Sequence, residues 1–165
     1  MRSLLLNLIG ATVNQCFGKL WPVASKQEME PRITRITQMH TDEARFDDLS
    51  RRVIGCALVV AGTLGSGFVE KVYENALAYE LRKSGLVVAQ QRGAVVRYDG
   101  IIVGEYTIDL LVEDALLIEL KAVKALDAIH LAQCLNYLKA TGLHLSLLLN
   151  FGRPRLEIKR VVQGF

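Results

Sequence analysis

Residues 105–121 read EYTIDLLVEDALLIELK, and this stretch decides the fold. Apart from its ends and a polar pair in the middle, it consists almost entirely of Leu, Ile, Val and Ala. Short apolar runs of this kind, separated by polar residues, indicate buried strands. The pattern therefore predicts two strands, 104–112 and 115–121, joined by a turn at Glu113 and Asp114.

Three ionisable residues, Asp109, Glu119 and Lys121, lie inside this apolar stretch. Side chains alternate across a strand, so Glu119 and Lys121 point to the same face, and a hairpin brings Asp109 onto the neighbouring strand. A buried carboxylate without a partner is costly, so such groups are usually paired or bound to a metal. The sequence therefore predicts that the three side chains converge.

Two interpretations of this cluster are open at this point. Glu119 and Lys121 could form a simple ion pair on a solvated face, which is a common arrangement. However, an acid on one apolar strand, followed by acid, any residue and lysine on the next, suits a metal-dependent phosphodiesterase. Its carboxylates would hold a hard cation, and its ammonium group would orient or deprotonate water.

Composition limits the class of protein. The chain has 165 residues, of which 51% are hydrophobic, and this suits one domain with a full core. No apolar run reaches the roughly 18 residues of a membrane span, so no membrane association is expected. Three widely spaced cysteines show no zinc-ligand pattern and favour a reducing, cytoplasmic compartment.

The formal net charge of +3 is unevenly distributed. Residues 1–38 hold five basic and two acidic residues, which leaves 15 of each sign in residues 39–165. Bulk charge therefore gives no nucleic-acid signature, and any phosphate-binding surface must be local. The candidate is a basic cluster near the C-terminus, which a solvated terminal strand would also explain: Arg153, Arg155, Lys159 and Arg160.

The first 38 residues differ from the rest of the chain. MRSLLLNLIGATV resembles a weak signal sequence, which a secreted protein would carry, but Asn7 interrupts its apolar run. We favour a poorly ordered or loosely helical N-terminal appendage over residues 1–38, followed by a domain over residues 39–165.

From Thr41 onward the periodicity predicts helices, strands and turns in a definite order. Asp99-Gly100 is a hairpin signal, and Gly85 and Gly142 are helix stops. The predicted order is αα, four strands, α, ββ, an α/β or α+β fold with a mixed sheet. The helices are expected at 41–62, 68–84 and 125–140, and the strands at 86–91, 94–98, 101–112, 115–121, 143–149 and 156–162.

Two helix faces carry polar residues of interest. Glu70, Tyr73 and Leu77 share a face of the second helix, where a carboxylate in the first turn is also favoured by the helix dipole alone. On the third helix, Gln133 and Tyr137 continue a polar stripe that could equally be solvated.

These residues resemble a known family. Residues 67–73, GFVEKVY, match the signature of the small bacterial and archaeal GxxExxY proteins, a branch of the PD-(D/E)XK nuclease-like superfamily. The resemblance covers about residues 41–162. It continues through GEY at 104–106, DLLV at 109–112, IELKAV at 118–123, QCLNYL at 133–138 and LLNFG at 148–152.

The resemblance implies a restriction-endonuclease-like core, in which a central mixed sheet is flanked by helices. It implies Glu70, Asp109 and Glu119 as ligands of Mg²⁺ or Mn²⁺, with Lys121 as the catalytic lysine. Tyr73, Gln133 and Tyr137 would support the site. The implied activity is metal-dependent hydrolysis of phosphodiester bonds in DNA or RNA.

The sequence departs from the family pattern at two positions. Ala61 stands where family members carry a histidine, and Ser66 replaces the proline of the following turn.

The balanced charge of residues 39–165 also suits a non-catalytic interaction or nucleic-acid-binding module with the same fold. A homodimer would double a local basic patch.

Overall fold

The computed structural model describes the backbone of residues 26–164 and the side chains of residues 43–164. The chain divides into two units after Thr41, and the fold described below is that of residues 42–165. Within residues 26–164, no helix is both long and apolar enough to cross a membrane.

A five-stranded mixed sheet forms the centre of the fold, with the strands in the order β1-β2-β3-β4-β5. Only β3 and β4 are parallel, and α3 makes the crossover between them. The predicted fold class, an α/β restriction-endonuclease-like core with a mixed sheet flanked by helices, is confirmed. The elements are α1 Lys26–Leu64, α2 Glu70–Lys83, β1 Val88–Tyr98, β2 Ile101–Val112, β3 Leu116–Lys121, α3 Ala128–Thr141, β4 Leu145–Asn150 and β5 Glu157–Val162.

Both predicted hairpin turns are confirmed. Glu113 and Asp114 join β2 to β3 with φ values of 54° and 49°, and the amide of Ala115 donates to the carbonyl of Val112. Positive φ at both central residues defines a tight turn whose twist matches that of the flanking strands. Asp99-Gly100 joins β1 to β2 in the same way, with φ values of 51° and 82°.

Two predictions about the elements were wrong. The first helix begins at Lys26 rather than at Thr41, and residues 32–41, which contain neither Gly nor Pro, continue it without a break. The strands predicted at 86–91 and 94–98 are one strand, β1, so three strands rather than four precede α3. β1 pairs with β2 from Val88 to Tyr98, and this long pairing keeps β1 continuous although Gln91 is left out of it.

The sheet separates two hydrophobic clusters. The first packs α1 and α2 against one face through residues such as Val53, Tyr73 and Leu77. The second packs α3 against the opposite face through Cys134 and Leu138. Each fully buried Leu or Ile contributes about 2 kcal/mol by leaving water, so these two layers provide the main driving force for folding.

The predicted N-terminal appendage falls mostly outside the described part of the chain. Residues 1–25 lie outside it, and this includes the stretch that resembles a signal sequence. Residues 26–38 belong to α1. The division into a 1–38 appendage and a 39–165 domain stays a prediction.

Candidate functional site

Asp109 lies where β2 separates from β3. The pairing of the two strands ends at Leu110 opposite Ile118, so the next backbone position of β3 is open to a side chain. The Asp109 carboxylate fills it, because Oδ2 accepts a hydrogen bond of 2.9 Å from the amide of Leu120. The hairpin therefore brings Asp109 beside β3, as the sequence predicted.

Glu119 and Lys121 form a close ion pair at the end of β3. Lys121 Nζ lies 2.6 Å from Glu119 Oε1, and the two side chains are 13% and 3% exposed. The other oxygen, Glu119 Oε2, is buried and has no hydrogen-bond partner among the described residues. The interpretation as an ion pair on a solvated face is therefore wrong, because this pair is enclosed.

Glu70 is the first residue of α2. Gly67, with φ of 119°, turns the chain, and the extended Val69 then leads into the helix. The Glu70 carboxylate is half-buried, is hydrogen-bonded by the backbone of Ala122 and interacts with the charge of Lys121. The position also benefits from the positive end of the helix dipole. The start of α2 thus lies against the end of β3.

Burial and mutual repulsion raise the pKa of each of these carboxyl groups. Burial and the nearby charge of Asp109 raise the pKa of Glu119 to about 7. Burial raises the pKa of Asp109 as well, although the Leu120 amide opposes this. Burial also raises the pKa of Glu70, against the attraction of Lys121. Burial by itself would lower the pKa of Lys121, but its hydrogen bond to Glu119 raises it overall.

The structure therefore brings Glu70, Asp109, Glu119 and Lys121 into one electrostatically coupled cluster. In the part of the chain that the structure describes, no three acidic, Cys or His side chains are gathered as a ready-made metal cluster. Two oxygens are already engaged, Asp109 Oδ2 by a backbone amide and Glu119 Oε1 by Lys121. The unengaged, buried Glu119 Oε2 fits a cation, since hard divalent cations prefer carboxylate oxygens.

Tyr73 supports this cluster from the opposite face of the sheet. Its hydroxyl donates to the carbonyl of Gly65 at 2.8 Å and accepts from the amide of Phe68 at 3.2 Å, so it ties down the turn before α2. Its ring stacks on Phe151, with centroids 4.7 Å apart. Because this turn leads directly into α2, Tyr73 helps to fix the position of Glu70, the first residue of that helix.

Sequence reasoning missed Asn150 and Gly152, which hold the end of β3 from the neighbouring strand. The side-chain oxygen of Asn150 accepts from the amides of Val123 and Gly152, each at 3.0 Å. The amide of Phe151 donates to the carbonyl of Lys121 at 2.7 Å. A Cβ atom on Gly152 would collide with the backbone of Val123, so only glycine fits. Register between parallel strands was needed to see this contact.

Gln133 and Tyr137 border the cluster on α3. Asp127 caps this helix by accepting from the amide of Ile129 at 2.9 Å, and Gly142 ends it with φ of 71°. Gln133 Nε2 donates to the Tyr137 hydroxyl at 2.7 Å. Burial raises the pKa of Tyr137, and the charges of Glu119, Lys121 and Asp109 also affect this pKa. The Tyr137 hydroxyl therefore lies near these three charged side chains.

Sequence reasoning also missed Glu74 and Gln91. Glu74 is 3% exposed and interacts electrostatically with both Glu70 and Asp109. Gln91 Nε2 donates to Glu74 Oε2 at 2.8 Å. No motif marks either residue, and the only local signal was a carboxylate one position beyond Tyr73 on a helix that faces the core.

The predicted basic cluster near the C-terminus is exposed. Within it, Arg160 pairs with Asp47 of α1. Such exposed pairs contribute little to stability, so they do not account for the cluster. A role in phosphate binding stays a prediction.

A comparison with protein-family models identifies the superfamily of this chain. The family model of the PD-(D/E)XK nuclease superfamily matches residues 47–161, and the chain belongs to this superfamily. Among solved structures, the crystal structure of SSO0001 is similar at 13% sequence identity with a TM-score of 0.47. The similarity covers 58% of this chain and 50% of that protein, so the chain spans about half its length. No curated protein matches the chain.

Proposed function

We propose that this protein is a divalent-metal-dependent nuclease that hydrolyses phosphodiester bonds in DNA or RNA. The observation that carries this proposal is that Glu119 Oε2 is buried beside Lys121 and has no hydrogen-bond partner among the described residues. A buried carboxylate oxygen without a partner is expensive, and a bound cation would offset that cost. Membership of the nuclease superfamily supports the same reaction class.

The proposed metal ligands are Glu70, Asp109 and Glu119. When bound, a Mg²⁺ or Mn²⁺ ion would neutralise charge on the phosphate and lower the pKa of a water nucleophile. The three carboxylates reach the site from α2, β2 and β3 respectively. Because Asp109 and Glu119 each have one oxygen engaged, we expect their side chains to adjust when an ion enters.

Lys121 is the proposed catalytic lysine. In the structure its ammonium group is held 2.6 Å from Glu119 Oε1, inside the cluster rather than in solvent. From there it would donate a hydrogen bond to the attacking water or to a phosphoryl oxygen, where negative charge develops. Gln133 and Tyr137 would support it from α3 by limiting access of bulk water.

The proposal extends to the family branch, the cellular compartment and the oligomeric state. We assign the chain to the GxxExxY branch on residues 67–73, with Tyr73 as the residue that fixes the turn before Glu70. We expect a cytoplasmic protein, in keeping with the buried Cys56 and Cys134, which form no disulfide within the described residues. We also expect a homodimer to strengthen nucleic-acid binding by doubling the basic cluster.

The first experiment is titration of the full chain with Mn²⁺ and Mg²⁺ in a calorimeter. We expect binding by the wild type and by the control Glu80→Ala. This control removes an acidic residue of α2, the helix that carries Glu70, but Glu80 lies outside the cluster. We expect no binding by Glu119→Ala. Binding that persists in Glu119→Ala would contradict the proposed site.

The second experiment separates the nuclease from the alternative, a non-catalytic module. Labelled single- and double-stranded DNA and RNA are incubated with the wild type and Mn²⁺. Cleavage that disappears on chelation supports the nuclease. Binding without cleavage of any of the four substrates would instead favour the module that the balanced charge suggested.

A further inference from the structure

The pairing of β1 with β2 passes from Gln90 opposite Leu110 to Arg92 opposite Ile108 and leaves out Gln91 and Asp109. Leu110 packs in the first hydrophobic cluster, whereas Ile108, two residues earlier, packs in the second. Residues two apart on a strand normally face the same side, so β2 turns over at Asp109. Opposite Asp109, Gln91 has a φ of 53°, which is uncommon for a residue other than glycine.

The side-chain amide of Gln91 lies between two carboxylates. Its Nε2 donates to Glu74 Oε2 at 2.8 Å. The register of the two strands sets Gln91 opposite Asp109, and hydrogen bonding by the Gln91 side chain lowers the pKa of the Asp109 carboxyl against the effect of burial. A primary amide has two N–H groups on one nitrogen, so a single side chain can serve both acceptors. Glu74 and Asp109 repel each other, and the amide is a neutral donor that links them.

Glu74 is itself held firmly. Lys71 Nζ contacts both of its oxygens, at 2.7 and 2.8 Å, and Gln90 Nε2 donates to Oε1 at 3.1 Å. The carboxylate is almost fully buried. A buried carboxylate with this many donors has one preferred orientation. The Glu74 carboxylate therefore fixes the position of the Gln91 amide that donates to it.

We propose that Gln91 is a positioning residue for Asp109, anchored by Glu74, and that it sets the direction in which the Asp109 carboxylate meets a metal ion. This inference rests on the proposed function, because it assumes that Asp109 is a metal ligand. Outer partners that orient metal ligands typically change metal affinity by about 10- to 100-fold when they are removed. The left-handed backbone of Gln91 is explained in the same way, because local strain is retained where the surrounding structure requires it.

The test compares two neighbouring glutamines. Gln91→Met keeps the length of the side chain but removes the amide. Gln90→Met does the same at a neighbouring residue, whose amide donates to Glu74 and Asn75. Mn²⁺ affinity of the full chain is measured by calorimetry. We expect affinity to fall about 10- to 100-fold in Gln91→Met and to stay within about twofold of the wild type in Gln90→Met.

A third variant, Gln91→Gly, separates positioning from stability. Both Gln91 variants lack the amide, but glycine adopts a φ of 53° without a Cβ clash. We therefore expect Gln91→Gly to unfold at or above the Tm of Gln91→Met while binding Mn²⁺ equally weakly. This result would support positioning, because affinity would not follow stability.

Four outcomes would overturn the inference. Wild-type affinity in Gln91→Met would show that the amide does not position Asp109. An equal loss in Gln90→Met, or recovery of affinity together with Tm in Gln91→Gly, would show a general effect on packing. Absence of Mn²⁺ binding by the wild type would overturn the proposed metal site and this inference together, which distinguishes the two failures.

Discussion

The two faces of β3 are both largely buried, but they differ in chemistry at the end of the strand. The face toward α1 and α2 is apolar throughout and fully buried, with Leu116, Ile118 and Leu120. The face toward α3 begins with the buried Leu117 and then changes to Glu119 and Lys121. A single strand therefore serves as core on one side and as candidate site on the other.

This difference separates stability from function. The apolar face gains free energy from leaving water, with no polar group to satisfy. The ionic face loses free energy, because burial raises the pKa of Glu119 to about 7 even with Lys121 beside it. Residues retained at a cost to stability are candidates for function.

Lys121→Met should reduce nuclease activity by about 1,000-fold, equivalent to roughly 4 kcal/mol in the transition state. Methionine keeps most of the side-chain volume but cannot donate to water or phosphate. Mn²⁺ binding should persist, because the carboxylates remain. Initial cleavage rates and calorimetry on the same preparations measure both effects. A mutant that cleaves at the wild-type rate would exclude the proposed role of the lysine.

Ile118→Ala, on the apolar face, should lower the free energy of unfolding by about 3 to 4 kcal/mol, because it leaves a cavity in a fully buried position. Urea denaturation measures the change. Mn²⁺ affinity of the folded fraction should stay near that of the wild type. Loss of affinity at this position would show that the two faces are not independent.

Glu119→Gln should stabilise the metal-free protein at pH 8 by up to about 3 kcal/mol, since the folded-state pKa of Glu119 is raised to about 7 from 4.5. A raised carboxyl pKa favours folding at low pH. This contribution is fully present below about pH 4.5 and is lost as the pH rises to 7.

The stability gain from Glu119→Gln should therefore shrink toward zero at pH 4. Urea unfolding at the two pH values, with a chelator present, measures it. Destabilisation at pH 8 would instead mean that the pair with Lys121 stabilises the fold.

Tyr73→Phe should have the smallest effect, a loss of about 1 to 2 kcal/mol in unfolding free energy. The hydroxyl bonds to Gly65 and Phe68 disappear, but the stack on Phe151 remains. The relaxed turn should also weaken Mn²⁺ binding modestly through Glu70. Unchanged stability would show that water replaces the hydroxyl at no cost.

Local signals predicted much of the fold. Asp99-Gly100 and Glu113-Asp114 form the expected turns, and Gly142 stops its helix, because each depends only on the conformational preferences of adjacent residues. The prediction of two strands within residues 86–98 was wrong because pairing with β2 is non-local. The start of α1 was also missed, because the regular periodicity becomes clear only from Thr41 onward whereas the helix already begins at Lys26.

The candidate site divides in the same way. Asp109, Glu119 and Lys121 were identified from the sequence because charges inside an apolar strand conflict with burial, and their strand period places two of them on one face. Glu74, Gln91 and Asn150 were not identified. Each of them makes a hydrogen bond with a residue 16 to 27 positions away, so no local sequence pattern predicts these contacts.

By itself, the sequence determined which residues are charged within the core, where the chain turns and which class of fold results, because these follow from periodicity and residue type. Only the tertiary structure decided how the cluster is built. The end of β2 pairing frees Asp109 to reach the Leu120 amide, and the stacked Tyr73 fixes the turn that leads to Glu70. These arrangements depend on register and packing between distant segments, and such contacts form only when the whole domain folds.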